Sequence, residues 1–111
     1  MAKSNAAFMS GVPELLVLQL LSQQEMYGYE LVKKIHLVSK EAISLAEGVI
    51  YPVLHSLDRQ GVIKARARSV GGRKRVYYSI TAKGRRRLDE VKHEWHRVSG
   101  GVQSILAGEN G

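Results

Sequence analysis

Residues 48 to 61 read Gly48-Val-Ile-Tyr-Pro-Val-Leu-His-Ser-Leu-Asp-Arg-Gln-Gly61 and have two distinct sides at helical spacing. Its apolar residues recur at helical spacing on one side of a predicted helix over residues 48–60: Ile50, Val53, Leu54 and Leu57. The opposite side carries Tyr51, His55 and Arg59, four residues apart. Gly61 suits the left-handed conformation that ends many helices. The stretch therefore predicts a helix that packs on one side and presents polar side chains on the other.

The net charge of +7 is concentrated directly after this helix. From Arg59 to Leu88 there is no acidic residue. The same stretch contains these cations: Arg59, Lys64, Arg66, Arg68, Arg73, Lys74, Arg75, Lys83, Arg85, Arg86 and Arg87. A block of this kind suits a polyanion such as a nucleic acid. From charge alone, the solvated face of an ordinary basic protein remains the alternative.

A β-hairpin follows the helix. Residues 62–68 alternate, with Ile63, Ala65 and Ala67 on one face and Lys64, Arg66 and Arg68 on the other. A returning strand places Val76, Tyr78 and Ile80 on the face opposite to Tyr77 and Ser79. Between the strands, residues 69–75 supply the Gly71-Gly72 turn and the cations Arg73, Lys74 and Arg75. The pattern predicts a two-stranded wing with cations at its tip.

Two helices precede the opening stretch. The first begins at Pro13 and runs over residues 14–24, with apolar residues around most of its circumference, so it is either central to the core or shared with a partner chain. The second covers Tyr27 to Val38, and residues 39–46 form a loop. Gly28, near the start of this helix, either permits the close approach of another backbone, with first-turn N–H groups available to a phosphate, or relieves packing against a neighbouring helix. Pro52 is predicted at the edge of the first turn of the third helix, or at a mild bend.

A fourth helix is predicted to begin at about Ala82 with Thr81 as its cap. Its apolar residues recur at steps of three and four: Leu88, Val91, Trp95, Val98, Val102 and Ile105. Gly100-Gly101 weakens this helix, because each glycine costs roughly 1 kcal/mol relative to alanine. The spacing favours an interface with a second chain over packing on the same domain.

These elements predict a mostly helical α+β fold, a winged helix-turn-helix with three helices and a two-stranded β-wing, plus a C-terminal dimerisation helix. Residues 12–81 form the predicted DNA-binding domain, residues 82–107 the dimerisation helix, and residues 1–11 and 108–111 flexible tails. At 111 residues the chain has room for one modest core.

Several classes of protein are not expected. His93 and His96 lack a third metal ligand, no glycine-rich phosphate loop precedes a helix, and no serine has the sequence context of a nucleophile. We therefore expect no enzyme, no metal and no cofactor. The sequence has no cysteine and no apolar run of the roughly 18 residues that span a bilayer, which predicts a cytoplasmic, nucleoid-associated protein without a membrane partner.

The sequence resembles the PadR family of transcriptional regulators over about residues 12–106. The resemblance is carried, in order, by Leu15-Leu16, Tyr27-Gly28-Tyr29-Glu30-Leu31, Glu47-Gly48-Val49-Ile50-Tyr51-Pro52, Leu57-Asp58-Arg59-Gln60-Gly61-Val62-Ile63, Gly71-Gly72-Arg73, Tyr77-Tyr78-Ser79-Ile80-Thr81 and Gly84. It implies a winged-helix regulator, usually a repressor, that acts as a homodimer on a palindromic operator. It also implies that the C-terminal helix and the first helix form the dimer interface.

The predicted DNA-binding residues are Tyr27, Ser44, Gly48, Val49, Tyr51, Pro52, His55, Arg59, Gly72, Arg73, Lys74 and Arg75. The predicted dimer interface contains Leu15, Leu18, Leu88, Val91, Trp95, Val98, Val102 and Ile105. The resemblance also implies DNA-binding roles for Tyr51-Pro52 in the third helix and for Gly71-Gly72-Arg73 in the wing. For Trp95 it implies a contact with a small hydrophobic or aromatic effector, with an ordinary interface anchor as the alternative. The expected partners are double-stranded DNA and a second copy of the chain. Two alternatives remain, a non-specific architectural DNA binder and a winged-helix module that binds an acidic protein or RNA.

Overall fold

The computed structural model describes residues 11–108, which form four helices and three strands. In chain order these are α1 (Val12–Leu21), β1 (Met26–Tyr27), α2 (Gly28–Val38), α3 (Glu47–Arg59), β2 (Ile63–Val70), β3 (Arg73–Ile80) and α4 (Ala82–Leu106). The mostly helical α+β winged-helix fold predicted from the sequence is confirmed. The predicted tails, apart from Gly11 and Gly108 at their edges, lie outside the described residues.

Helix α1 occupies the centre of the core. Leu15, Val17, Leu18, Leu20 and Leu21 are all buried, which explains why its apolar residues surround the helix and do not form a single stripe. The helix ends at Leu21, three residues before the predicted end. The cause is local, because the Ser22 hydroxyl donates a hydrogen bond of 2.6 Å to the Gln19 carbonyl and closes the last turn.

The wing is larger than predicted, because β1 pairs antiparallel with β3 and the sheet has three strands in the order β1-β3-β2. Met26 lies opposite Tyr78 and Tyr27 lies opposite Tyr77. Helix α2 therefore begins at Gly28 and not at Tyr27, whose backbone N–H is capped by the Glu30 carboxylate at 3.1 Å. A strand of two residues has no alternation that a sequence pattern could reveal.

Helix α3 begins and ends one residue earlier than predicted. Pro52 lies inside it, beyond the first turn, and its missing N–H leaves the Gly48 carbonyl without the usual partner four residues on. At the other end, Gly61 has a φ of 76° and acts as the predicted left-handed cap. The Val62 N–H donates to the Leu57 carbonyl and the Gly61 N–H to the Asp58 carbonyl, at 3.1 and 3.0 Å. This pair of bonds is the Schellman motif.

The hairpin turn consists of two residues only. Gly71 and Gly72 have φ values of 57° and 79°, as a type I′ turn requires, and Val70 pairs with Arg73 directly beside it. Arg73, Lys74 and Arg75 thus belong to β3, which begins three residues earlier than the predicted strand. Their placement at the tip was wrong for Arg75, which lies three residues after Gly72 and opposite Arg68.

The end of α3 and the start of α4 meet at one junction of backbone groups. The Thr81 N–H donates to the Val62 carbonyl at 3.1 Å, and the Thr81 hydroxyl donates to the Gly61 carbonyl at 2.8 Å. The same hydroxyl accepts a hydrogen bond from the Gly84 N–H at 3.0 Å, which confirms Thr81 as the cap of α4. A Cβ atom on Gly84 would overlap the Val62 carbonyl oxygen, so only glycine fits there.

Helix α4 is 25 residues long and continues through Gly100-Gly101 without interruption. Leu88 belongs to the core, and Val91 packs against it. Beyond these residues the helix leaves the domain and its apolar side chains are exposed: Trp95, Val98, Val102, Ile105 and Leu106. The core therefore packs against the first part of α4, and the apolar side chains beyond Val91 are exposed in the described part of the chain.

Candidate nucleic-acid interface

A groove of about 350 Å³ separates α3 from the sheet. Its lining combines aromatic, imidazole and cationic side chains: Tyr27, Gly28, Tyr51, His55, Lys74, Arg75, Val76 and Tyr78. Five of the predicted DNA-binding residues thus meet at one place: Tyr27, Tyr51, His55, Lys74 and Arg75. Aromatic and cationic groups around one open groove suit a phosphate backbone, because the cations attract phosphates and the hydroxyl and imidazole groups hydrogen-bond them.

Tyr51 forms one wall of the groove and packs against the first residue of α2. A Cβ atom on Gly28 would lie 2.6 Å from the end of the Tyr51 ring, so the ring occupies the space that any larger residue would need. This contact favours the helix-packing explanation of Gly28 given above. The Tyr51 and His55 rings lie one turn apart, with centroids separated by 6.4 Å. Both side chains therefore face the groove from α3.

The remaining predicted residues lie around this groove and not in it. Arg59 is exposed at the last turn of α3, and Gly48 and Pro52 are exposed nearer its start. Val49 is half-buried against the core, and Ser44 is half-buried in the loop that precedes α3. Two further residues, Gly72 and Arg73, are exposed at the turn of the hairpin. The predicted set therefore covers a surface that extends from the start of α3 to the wing tip.

Four side chains form a stacked row across the sheet. The Arg75 guanidinium lies 4.5 Å from the centre of the Tyr27 ring, and the Arg68 guanidinium lies 4.3 Å from that of Tyr77. The two tyrosine rings meet edge to face, with centroids 5.5 Å apart. Stacking of this kind holds flexible arginines in place by cation–π attraction. Arg68 and Tyr77 were absent from the predicted site, although the alternation of β2 and β3 had placed each on a defined face.

Two groups of the sheet have shifted pKa values. A hydrogen bond from the Arg75 side chain to Tyr77 raises the pKa of Arg75, which keeps the guanidinium charged. Burial raises the pKa of Tyr78, because its phenolate would be desolvated at the floor of the groove. The groove thus has a permanent cation at its rim and a neutral hydroxyl below it.

A second, apolar groove of about 390 Å³ lies between α1 and α4. Its lining includes Leu15, Val91, Trp95 and Val98 from the predicted interface. Leu18 and Leu88 lie in the core of the single chain at 0% and 6% exposure, so neither has surface left for a second chain. Arg87 and Glu14 join the two helices through paired bonds of 3.2 Å. This ion pair fixes the first turns of α4 against α1.

Within residues 11–108 no group of three or more acidic, histidine or cysteine side chains could hold a metal ion. The same residues contain no helix that is long and apolar enough to cross a membrane.

Comparison with known proteins gives three kinds of match. The model of the transcriptional regulator PadR-like family matches residues 17–90. A PadR-like transcriptional regulator of Bacillus cereus has a structure that aligns with a TM-score of 0.77 at 38% identity, over 93% of this chain and 99% of that protein. A transcriptional regulator of Clostridium thermocellum shares the fold, with a TM-score of 0.84 at 24% identity, over 94% and 99% of the two chains.

Two sequence relatives extend this comparison. The transcriptional regulator YqjI of Escherichia coli is 30% identical over 91% of this chain, which spans only 47% of the length of that protein. A transcriptional regulator of Mycobacterium tuberculosis is 26% identical, over 93% of this chain and 91% of its own length.

Proposed function

The chain belongs to the PadR-like family of transcriptional regulators, which are DNA-binding proteins and not enzymes, and we propose that it is a repressor that acts as a homodimer on a palindromic operator. The observation that carries this proposal is the groove in which Tyr51 and His55 of α3 face Lys74 and Arg75 of the wing. A recognition helix beside a basic wing has the shape and the charge that binding to a DNA duplex requires.

Each surface has a separate part in the proposed complex. Helix α3 enters the major groove, and the exposed side chains of His55 and Arg59 reach base edges. The wing residues Arg73 and Lys74 contact phosphates, which set affinity and register without reading sequence. Sequence selection thus depends on α3, and most of the salt-dependent affinity depends on the wing.

The proposed dimer is built on α4. Trp95, Val98 and Val102 are 45–49% exposed, and Ile105 is 78% exposed, so these four form an apolar stripe that residues 11–108 leave largely uncovered. In a dimer with twofold symmetry, this stripe would pack against the same stripe of the second copy, and both would be buried. Leu15 lines the same groove, whereas Leu18 and Leu88 lie in the core of the single chain and stay outside the proposed dimer surface. Two α3 helices related by a twofold axis then bind a palindrome.

An effector would use the apolar groove beside Trp95. Its lining includes the Trp95 ring, Val91 and Val98, with Glu90 and Glu94 at the rim. Flat aromatic or small hydrophobic molecules suit such a lining, because stacking on an indole needs no specific hydrogen bond. Binding there would alter the packing of α4 against its copy and release the protein from DNA.

A gel-shift titration tests the proposed function. The protein is titrated against its own upstream DNA and against a scrambled duplex of equal length, at two salt concentrations. We expect preferential binding to the upstream DNA, with a log–log salt slope of roughly −5 to −9 for a dimer that neutralises three to five phosphates per subunit. Equal affinity for both duplexes would instead indicate an architectural DNA binder, and binding to neither would leave an acidic protein or RNA as the partner.

A further inference from the structure

The two faces of the wing differ in charge. Side chains alternate along each strand, and residues opposite each other on antiparallel strands share a face. The face directed at α3 includes Lys74, Val76 and Tyr78. The other face, called here the outer face of the wing, carries Lys64, Arg66, Arg68, Arg73, Arg75 and Tyr77. It therefore holds five cations of which only Arg75 also borders the α3 groove.

Among the described residues, one carboxylate forms ion pairs with this surface. Glu25, in the turn between α1 and β1, forms an ion pair with the Arg68 guanidinium and lies 4.0 Å from that of Arg66. Residues 59–88 contain no acidic residue of their own. Among the described residues, Glu25 makes all the ion pairs of β2 and β3. The charge of the outer face is therefore partly neutralised by a residue from a different element.

The Glu25 carboxylate lies against Arg66 and Arg68 where a phosphate of a DNA backbone would bind the same guanidinium groups. Guanidinium groups recognise carboxylates and phosphates through the same planar arrangement of donors. Arg66 and Arg68 are 73% and 43% exposed, so a DNA backbone has access to both. An ion pair this exposed contributes little free energy. A phosphate can therefore replace the Glu25 carboxylate at small cost.

The dimensions of the outer face fit a duplex. Alternate residues of a strand are roughly 6.6 Å apart, so the row Lys64, Arg66 and Arg68 spans roughly 13 Å. Each strand of a DNA duplex carries one phosphate per 3.4 Å of helix axis. The stacking of Arg68 on Tyr77 fixes the middle of this basic surface, so its cations meet the backbone with little loss of side-chain entropy.

We propose that the outer face of the wing is a second phosphate-binding surface for duplex DNA, and that Glu25 competes with the phosphate for Arg66 and Arg68. Glu25 thereby lowers the affinity for all DNA and increases the share of the binding that depends on the sequence read by α3. This inference rests on the DNA-binding function proposed above.

The experiment compares two variants in which a carboxylate is replaced by the corresponding uncharged amide. Glu25→Gln removes the competing carboxylate, and Asp89→Asn removes one negative charge from the exposed surface of α4. Dissociation constants are measured by fluorescence anisotropy for the upstream and the scrambled duplex over a salt series. For Glu25→Gln we expect three- to tenfold tighter binding to both duplexes and a salt slope steeper by about one per subunit. Asp89→Asn is expected to change affinity by less than twofold.

A double variant tests whether Glu25 changes DNA affinity through Arg66 and Arg68. Arg66→Gln with Arg68→Gln should weaken binding to both duplexes and make the salt slope shallower by about two per subunit. Adding Glu25→Gln to this background should then have no effect, because the groups for which Glu25 competes are gone. Thermal unfolding of every variant separates changes in DNA affinity from changes in folding.

Three results would overturn the inference. The first is that Glu25→Gln changes DNA affinity no more than Asp89→Asn does. The second is that Glu25→Gln tightens DNA binding by the same factor when Arg66 and Arg68 are both replaced by glutamine. The third is that the variant with both arginines replaced binds DNA as tightly as the unmodified protein. Equal binding of the unmodified protein to both duplexes refutes only the operator-specific function, since the comparisons at Glu25 are read on each duplex separately. Failure to bind any duplex refutes both proposals.

Discussion

The Tyr51 ring of α3 fills the space above Gly28 of α2, where a Cβ atom would lie 2.6 Å from the ring. The two helices of the helix-turn-helix, α2 and α3, thus contact each other through the Tyr51 ring and the backbone of Gly28. The ring is the movable partner in this contact, because the atoms approached lie at its far end.

Gly28→Ala is expected to weaken DNA binding about tenfold, or ~1.4 kcal/mol, while the free energy of unfolding changes by less than ~1 kcal/mol. The added methyl displaces the Tyr51 ring into the groove that DNA would enter. Anisotropy titrations and urea unfolding measure the two effects. Gly101→Ala in α4 is the control, since a Cβ there meets no atom within 4 Å and the position lies outside the predicted DNA-binding surface. A tenfold loss in the control as well would show that a glycine-to-alanine change in any helix has this effect.

Neutralising Arg73 and Lys74 by glutamine should weaken binding to operator and scrambled DNA by the same factor. The salt slope should become shallower by about two per subunit, because each cation releases roughly one counterion from the duplex. Arg86→Gln with Lys92→Gln removes the same charge from exposed positions of α4 and should leave the slope unchanged. A slope that stays constant in the wing variant would mean that these residues do not contact phosphates.

Trp95→Ala should raise the dissociation constant of the proposed dimer about 30-fold, since a central aromatic anchor contributes ~2 kcal/mol or more to the free energy of association. The monomer should remain folded, because Trp95 is 45% exposed and lies outside the core. Sedimentation over a concentration series measures the dimer, and circular dichroism the fold. Tyr29→Ala removes an aromatic ring of 51% exposure from α2 and should leave the mass unchanged. Persistence of the dimer in the Trp95 variant would refute this role.

Gly84→Ala should destabilise the protein by ~3 kcal/mol, because the methyl group would overlap the Val62 carbonyl oxygen and the backbone must move. Gly100→Ala, in the same helix but with open space around it, should raise the free energy of unfolding by ~0.5–1 kcal/mol. Urea unfolding at one protein concentration compares the two. Equal stability of both variants would contradict the packing described at the junction.

Much of this fold follows from local rules that act within a few residues. The apolar stripe of α3, the cap at Gly61, the Gly71-Gly72 turn and the Thr81 cap were all predicted correctly, because each depends on a residue type at a fixed offset. The apolar circumference of helix α1 left two positions open, the centre of the core or an interface with a partner chain, and the structure buries it in the core. Its end at Leu21 was missed, since Gln23 and Gln24 are good helix formers and the side chain of Ser22 closes the helix.

The parts that could not be predicted depend on contacts between distant residues. Strand β1 exists because Met26 and Tyr27 pair with residues some fifty positions later. Val38 continues the apolar spacing of α2, yet it is 64% exposed because the helix extends past the core at that point. The candidate site was found through its cations and aromatic residues. Glu25 was missed, because an acidic residue in a turn has no feature in the sequence that links it to Arg68.

The junction between Thr81 and Gly61 has a mechanical consequence. Two hydrogen bonds from Thr81 and the close approach of Gly84 to Val62 make the end of α3 and the start of α4 parts of one rigid body. Helix α4 is roughly 37 Å long, so a tilt of about 5° displaces its far end by roughly 3 Å and rotates α3 by the same angle. In the proposed complex, any ligand or partner that changes the tilt of α4 would therefore also change the angle at which α3 meets a duplex. Allosteric control of DNA affinity would then require no contact with the residues that face the DNA.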